Sequence, residues 1–135
     1  MKDENCIFCK IANGEIPTNS IYEDSLFRVI LDSSPATRGH ALILPKNHYE
    51  DLFAVPEGEA AEAMKLARKM GAVQMERLGA DGLNLVQNNG AAAGQTVCHF
   101  HIHLIPRYAA DGQTIGWKPG SPTAEELTEV RDLLA

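Results

Sequence analysis

Positive charge is scarce in this sequence and never gathers in one place. Twelve Lys and Arg stand against 18 Asp and Glu, a formal net charge of −6. No basic cluster exceeds a residue or two. Affinity for DNA or RNA rests on neutralising backbone phosphates with a basic surface, so a nucleic-acid partner is not expected. A small phosphate ester held by a few local groups stays compatible. Long apolar runs are missing too, and nothing approaches the roughly 20 residues of a membrane-spanning helix. The opening stretch MKDENCIFCKIANG lacks the basic-then-apolar order of a secretory signal. The expected setting is therefore the cytoplasm, with no membrane partner. Aromatics make up only 6% of the chain, and repeats, linkers and low-complexity segments are absent. At 135 residues the expectation is one domain spanning 1–135, long enough for a real core.

Cysteine is also sparse: Cys6, Cys9 and Cys98. An odd count with one C-x-x-C points away from a disulfide framework and toward metal or redox chemistry. A thioredoxin-like motif follows a strand and opens a helix, which a motif starting at residue 6 does not fit. Two thiolates leave zinc under-coordinated, so a metal reading needs two more ligands from elsewhere.

Turn chemistry marks GEIPTNSIYED. LFRVILD (26 to 32) and HALILPK (40 to 46) then read as strands, joined by the loop SSPATRG. Pro56 opens a helical stretch to about Leu78, with Met64, Ala67, Met70, Gly71 and Leu78 on one face and Glu62, Lys65 and Lys69 on another. GLNLVQN (82 to 88) is a further apolar run, followed by the flexible NGAAAGQ. In the tail, Thr123 and Glu126 form a capping box ahead of Leu127, Val130 and Leu134. Strands grouped around one main helix indicate an α+β domain with an antiparallel sheet.

The densest chemistry lies in TVCHFHIHLIPRY, residues 96 to 108. His99, His101 and His103 alternate with Phe100, Ile102 and Leu104, so a strand puts three imidazoles on one face and apolar side chains on the other. The outer two are about 13 Å apart at about 3.3 Å per residue. Zinc–nitrogen bonds are only about 2 Å long, so those two are poor partners for one ion. The row is expected to divide its labour, and Cys98 is expected to face the core as an inert thiol.

The pattern HFHIHLI resembles the signature of the histidine-triad (HIT) family of nucleotide hydrolases and transferases. CIFCKIANGEIPT, LDSSPATRGHALILPKNH and NNGAAAGQTVCHFHIH resemble its Hint-type branch, in the same order and at similar spacing over roughly residues 5 to 108. The resemblance implies a HIT-like sheet of about five strands with one long helix and a short C-terminal helix. It implies that His101 is the nucleophile, attacking the α-phosphate of a nucleotide conjugate to form a nucleotidyl-histidine that water hydrolyses. His103 and His40 resemble the remaining histidines of the site. Asn88, Gly94, Gln95 and Thr96 resemble the phosphate-side loop, Asp32 the carboxylate that binds ribose hydroxyls, and Phe8, Ile16 and Ile30 the apolar base pocket. For that trio plain core packing is an equal alternative, and for Asp32 a turn-capping role is the competing one. Relatives with an N-terminal C-x-x-C bind zinc through it, a P-K-x-H histidine and the first histidine of the row. Here these are Cys6, Cys9, His48 and His99, a closed and therefore structural site. Thr96 stands where many relatives have serine, and its methyl narrows the room for a leaving group.

The implied activity is that of a purine nucleoside phosphoramidase, with a purine nucleoside monophosphate or nucleotide conjugate as ligand and a homodimer as the assembly. A nucleotide-sensing or scaffold module with incidental turnover is one alternative, because the same pocket serves both. A dinucleoside-polyphosphate hydrolase or nucleotidyltransferase is the other.

Overall fold

The computed structural model describes all residues, 1–135. The chain runs α1 (Ile7–Ala12), β1 (Ser20–Glu23), β2 (Phe27–Leu31), β3 (Ala41–Pro45), α2 (Glu57–Leu78), β4 (Gly82–Val86), a 3-10 turn at Ala91–Ala93, β5 (Ile102–Arg107) and α3 (Ala124–Leu134). The strands form one antiparallel sheet in the order β1-β2-β3-β5-β4. The α+β architecture expected from the strand and helix patterns is the observed one.

The central strand β3 is buried at every position, as its unbroken apolar run ALILP requires. Alternate residues feed two cores. On one face Phe27, Val29, Ala41, Ile43, Ile102 and Leu104 meet Ala63, Leu66, Ala67 and Met70 of α2. On the other, Ile30, Leu42 and Leu44 meet Ala12, with Phe8 and Ile11 of α1 packed alongside. Each fully buried large side chain contributes about 2 kcal/mol of transfer free energy. The larger cluster therefore holds the sheet to α2, while the smaller one seats the N-terminal segment.

The buried side of α2 is Ala63, Leu66, Ala67, Met70, Gly71 and Gln74, a stripe at helical period. Gly71 lets the helix come close to β4, because a Cβ there would lie 2.6 Å from Leu83 Cδ2. The helix ends at Gly79 in the left-handed conformation, φ 64°, as expected of a C-terminal glycine. The structure corrects the sequence reading at Met64, which is 57% exposed. Thioether chemistry matches a core, but position 64 falls just outside the arc that faces the sheet.

GEIPTNSIYED, read as turn, contains β1. Its register shifts between Ser20 and Tyr22, and an irregular edge strand with mostly exposed residues leaves little alternation to detect. The short helix α1 was likewise hidden. It starts at Cys6, whose Sγ accepts from Cys9 N–H at 3.4 Å, and thiols are not among the usual capping residues. At the C-terminus the capping box at Thr123 and Glu126 forms as expected, yet no residue of α3 is buried.

Candidate functional site

The histidine row enters the fold at a change of structure. Only His103 lies inside β5; His101 immediately precedes it and His99 sits in a bend. The alternation expected over 96 to 108 is therefore regular only from about residue 100, where Phe100 N–H donates to Tyr49 O at 2.7 Å and Phe100, Ile102 and Leu104 enter the larger core. This corrects the expectation for Cys98. It is exposed and borders a surface depression shared with Cys6, His48 and Thr96, because no strand pleat reaches back to turn it inward.

At the N-terminal end of the row, Cys6, Cys9, His48 and His99 bring four ligand atoms within 4.8 Å of one another. His99 Nδ1 lies 3.4 Å from both Cys6 Sγ and Cys9 Sγ, and His48 Nδ1 lies 3.4 Å from Cys9 Sγ. His99 Nε2 donates to the carbonyl of Pro45 at 3.0 Å, which fixes the tautomer and leaves Nδ1 free to bind a cation. Burial pushes His99 down to about 4, so it is neutral and ligand-ready at pH 7. Asp3 N–H donates to Cys9 Sγ at 3.3 Å, a bond that favours the thiolate. Burial pushes the Cys9 thiol up, a cost that a bound cation reverses by deprotonating it. Two soft thiolates and two imidazoles in a tetrahedral-sized cluster fit a closed metal site. Asp3 and the Pro45 carbonyl were not legible beforehand, since both act through backbone atoms that carry no side-chain signal.

The other end of the row lies on the α1 face of the sheet. Leu42, opposite His103 in the ladder, belongs to the smaller core, so His103 shares its face. His40 stands just before β3. Its Nδ1 accepts Ala36 N–H at 2.9 Å, and its Nε2 is 2.9 Å from His103 Nδ1. An accepting Nδ1 puts the proton of neutral His40 on Nε2, which donates to His103 Nδ1. The proton of neutral His103 is then on its own Nε2. Asp32 Oδ2 is 3.6 Å from His40 Nε2, and Asp32 Oδ1 accepts Ser34 N–H at 2.8 Å. One carboxylate oxygen thus caps a turn while the other faces the histidines. The ligand-type atoms of Asp32, His40 and His103 also lie within 4.8 Å of one another, but the two imidazoles are already bonded to each other.

Between the two clusters sits His101. Its Nδ1 is 2.6 Å from the carbonyl of His99, so Nδ1 bears the proton and Nε2 bears a free lone pair. Phe8 packs edge-on against the ring, centroids 5.0 Å apart at 88°, and His103 packs against it at 4.9 Å. Burial lowers the pKa of His101 and His40, and pushes His103 down to about 4 with help from the neighbouring imidazoles. All three are neutral at pH 7.

Of the apolar trio, Ile30 is a member of the smaller core and Phe8 borders it, while Ile16 is half-buried outside both clusters. In the loop, Gly94 adopts φ 92° next to Asn88, whose Nδ2 lies 3.6 Å from where a Cβ would sit. The Gln95 amide ties its loop to itself and to the β3–α2 connection: Oε1 accepts from Gly90 N–H, and Nε2 donates to Val97 O and to Glu50 O. Thr96 is exposed beside the Cys6–His48 depression.

The family model of the HIT domain matches residues 13–110. The chain belongs to the HIT family. This HIT protein is 46% identical to an uncharacterised HIT-like protein of Methanocaldococcus jannaschii over 93% of the chain and 95% of the relative. It is 37% identical to the adenosine 5'-monophosphoramidase of Saccharomyces cerevisiae over 98% of the chain and 83% of that enzyme. A zinc-bound histidine triad protein from Mycobacterium smegmatis superposes with a TM-score of 0.78 at 40% identity, covering 86% and 84% of the two chains. The HIT protein's five-stranded antiparallel sheet is thus shared with its solved relatives, and no helix in it is long and apolar enough to cross a membrane.

Proposed function

We propose that this HIT protein, working as a single domain over residues 1–135, hydrolyses nucleoside phosphoramidates, purine ones first, or closely related nucleotide conjugates. The observation that carries the reading is the 2.6 Å contact of His101 Nδ1 with the His99 carbonyl, which leaves Nε2 as an unprotonated nucleophile in a neutral ring. Nε2 attacks the α-phosphorus, the P–N bond to the leaving amine breaks, and the departing nitrogen takes a proton from solvent. Water then attacks the same phosphorus and releases a proton to solvent, the His101 Nε2–P bond breaks with its electron pair returning to Nε2, and a nucleoside monophosphate departs. His103 Nε2–H is left as a donor for a phosphate oxygen or the leaving group, and His40 holds it in that state. Such stabilisation of developing charge by fixed donors supplies much of the catalysis in phosphoryl-type transfer. Asp32 receives the ribose hydroxyls, and Phe8, Ile16 and Ile30 face the base. Asn88, Gly94, Gln95 and Thr96 form the phosphate-side loop, with Gln95 acting chiefly as its brace. The name borne by the S. cerevisiae relative supports the substrate class.

Cys6, Cys9, His48 and His99 would hold zinc as a structural ion, a reading supported by the donor set and by the zinc-bound relative. Such an ion ties the N-terminal segment to the sheet and supplies folding free energy. Thiols kept free for a metal fit a reducing, cytoplasmic setting. The assembly is a homodimer through α2 and the open edge of β4. That face carries an apolar groove of about 660 Å³ lined by Met64, Met75, Leu83 and Leu85 among others, and an uncovered strand edge favours pairing. Light scattering at micromolar concentration is expected to give about twice the 14.7 kDa chain mass. A value near one chain overturns the dimer.

The activity is tested by turnover of adenosine 5'-phosphoramidate beside a dinucleoside tetraphosphate, with monophosphate binding measured in parallel. Faster turnover of the phosphoramidate supports the proposal. Preference for the tetraphosphate moves the protein to the polyphosphate hydrolases, and tight binding without turnover of either makes it a sensor.

A further inference from the structure

His40 stands at the start of β3, and the sheet alone does not hold the loop that carries it. The β3–β5 pairing ends at Ala41 and Leu104, and Pro106 beyond it has no N–H with which to continue. Gln74, on the buried stripe of α2, bonds to this end of the ladder. Its Nε2 donates to Gly39 O at 2.9 Å and to Leu104 O at 3.3 Å. Both partners are carbonyls, so only the amino end of the amide can face them. The two acceptors belong to the residues directly before His40 and directly after His103, the pair whose rings meet at 2.9 Å. Gln74 is 4% exposed, and its Oε1 has no partner. The loop is drawn hard onto the helix: Gly39 has φ +88°, and a Cβ there would collide with Leu78 Cδ1. A second tie comes from Thr37, whose Oγ1 donates to Pro106 O at 2.6 Å.

We propose that Gln74 is a positioning residue, clamping the His40 loop to β5 and thereby setting the His40–His103 hydrogen bond. The bond in turn fixes the His103 tautomer that presents Nε2–H, so a side chain on α2 governs a donor beside His101. The kinetic half of this inference rests on the phosphoramidase reading; the structural half does not.

Two variants that leave every site histidine in place test it. Gln74→Met keeps most of the volume and removes both donors, and Thr37→Val removes the second tie with little change of shape. Each is compared with the wild-type protein for kcat and KM on adenosine 5'-phosphoramidate and for exchange of the His40 Nε2 proton by nitrogen-15 imidazole NMR. The NMR is run at a temperature where all are folded. Gln74→Met is expected to lower kcat by about tenfold or more with KM changed less than about twofold, since sub-ångström misplacement acts on the reacting geometry. His40 Nε2–H exchange is expected to quicken by at least about tenfold. Thr37→Val should move both readouts the same way by less. A lowered melting temperature with unchanged kcat and unchanged exchange overturns the proposal and leaves Gln74 as a satisfied core amide. If the wild-type protein turns over no phosphoramidate, the enzyme reading fails, and the exchange rate still decides the clamp. If Gln74→Met does not fold, Thr37→Val decides the clamp by the same kcat and exchange measurements, and no change in either overturns it.

Discussion

His99 and His103 are four residues apart and chemically identical, yet they are set up for opposite tasks. At His99, Nε2 is committed to the Pro45 carbonyl and Nδ1 is aimed at two cysteine sulfurs. At His103, Nδ1 is committed to His40 and Nε2 is left to donate. Both are pushed down to about 4, chiefly by burial, so the difference is not one of basicity. It is one of which nitrogen the fold has already used. A neutral imidazole has one donor and one acceptor, and occupying either assigns the other.

The sharpest way to break the comparison is to delete the residue between them. His101→Ala is expected to lower turnover by orders of magnitude while leaving metal content and melting temperature near those of the wild-type protein. Full activity in that variant would remove the covalent route. His99→Ala is expected to release zinc and to destabilise the fold by roughly 3–5 kcal/mol, loosening the segment around Cys6 and Cys9. Elemental analysis and thermal melts check it; a stable variant with full metal content would show that His99 is no ligand. His103→Ala keeps the nucleophile and loses a donor, so turnover should drop by about ten- to a hundredfold at unchanged zinc. Equal zinc loss in all three variants would mean that the row is one metal site.

The smallest expected effect is that of pH. The lowered pKa values of His40, His101 and His103 mean that the folded protein binds fewer protons than the unfolded chain below about pH 6.5. Stability from these groups is therefore complete above that value and declines as pH falls toward about 4, where His103 titrates in the fold. Activity should follow, persisting below pH 6.5 and fading toward 4. An acid limb centred at or above about 6.5 would contradict neutral, buried histidines.

Local pattern reached some of this protein and stopped short elsewhere. The strands around Val29, Ile43 and Leu85, the helix after Pro56 and the capping box at Thr123 are all visible as periodicity or turn chemistry, because each depends on neighbours in sequence. Met64 and Cys98 break the pattern for a related reason. Their residue types suit a core, but their facing depends on where the arc of α2 meets the sheet and where β5 begins. The bent approach through His99 is imposed by the Tyr49 and Pro45 carbonyls, which lie some fifty residues away in the chain.

The sequence by itself determined the inventory: an antiparallel α+β chain, three histidines at alternate positions, a Cys pair and a net charge of −6. Only the tertiary structure decided which nitrogen of each imidazole is free. That choice is made by hydrogen bonds to backbone groups of Pro45, Ala36 and His99 and to the ring of His40. The bonds to Pro45 and to the His40 ring span long stretches of chain, and backbone carbonyls and N–H groups are the same in nearly every residue. No reading of side-chain letters reveals them until the chain is folded.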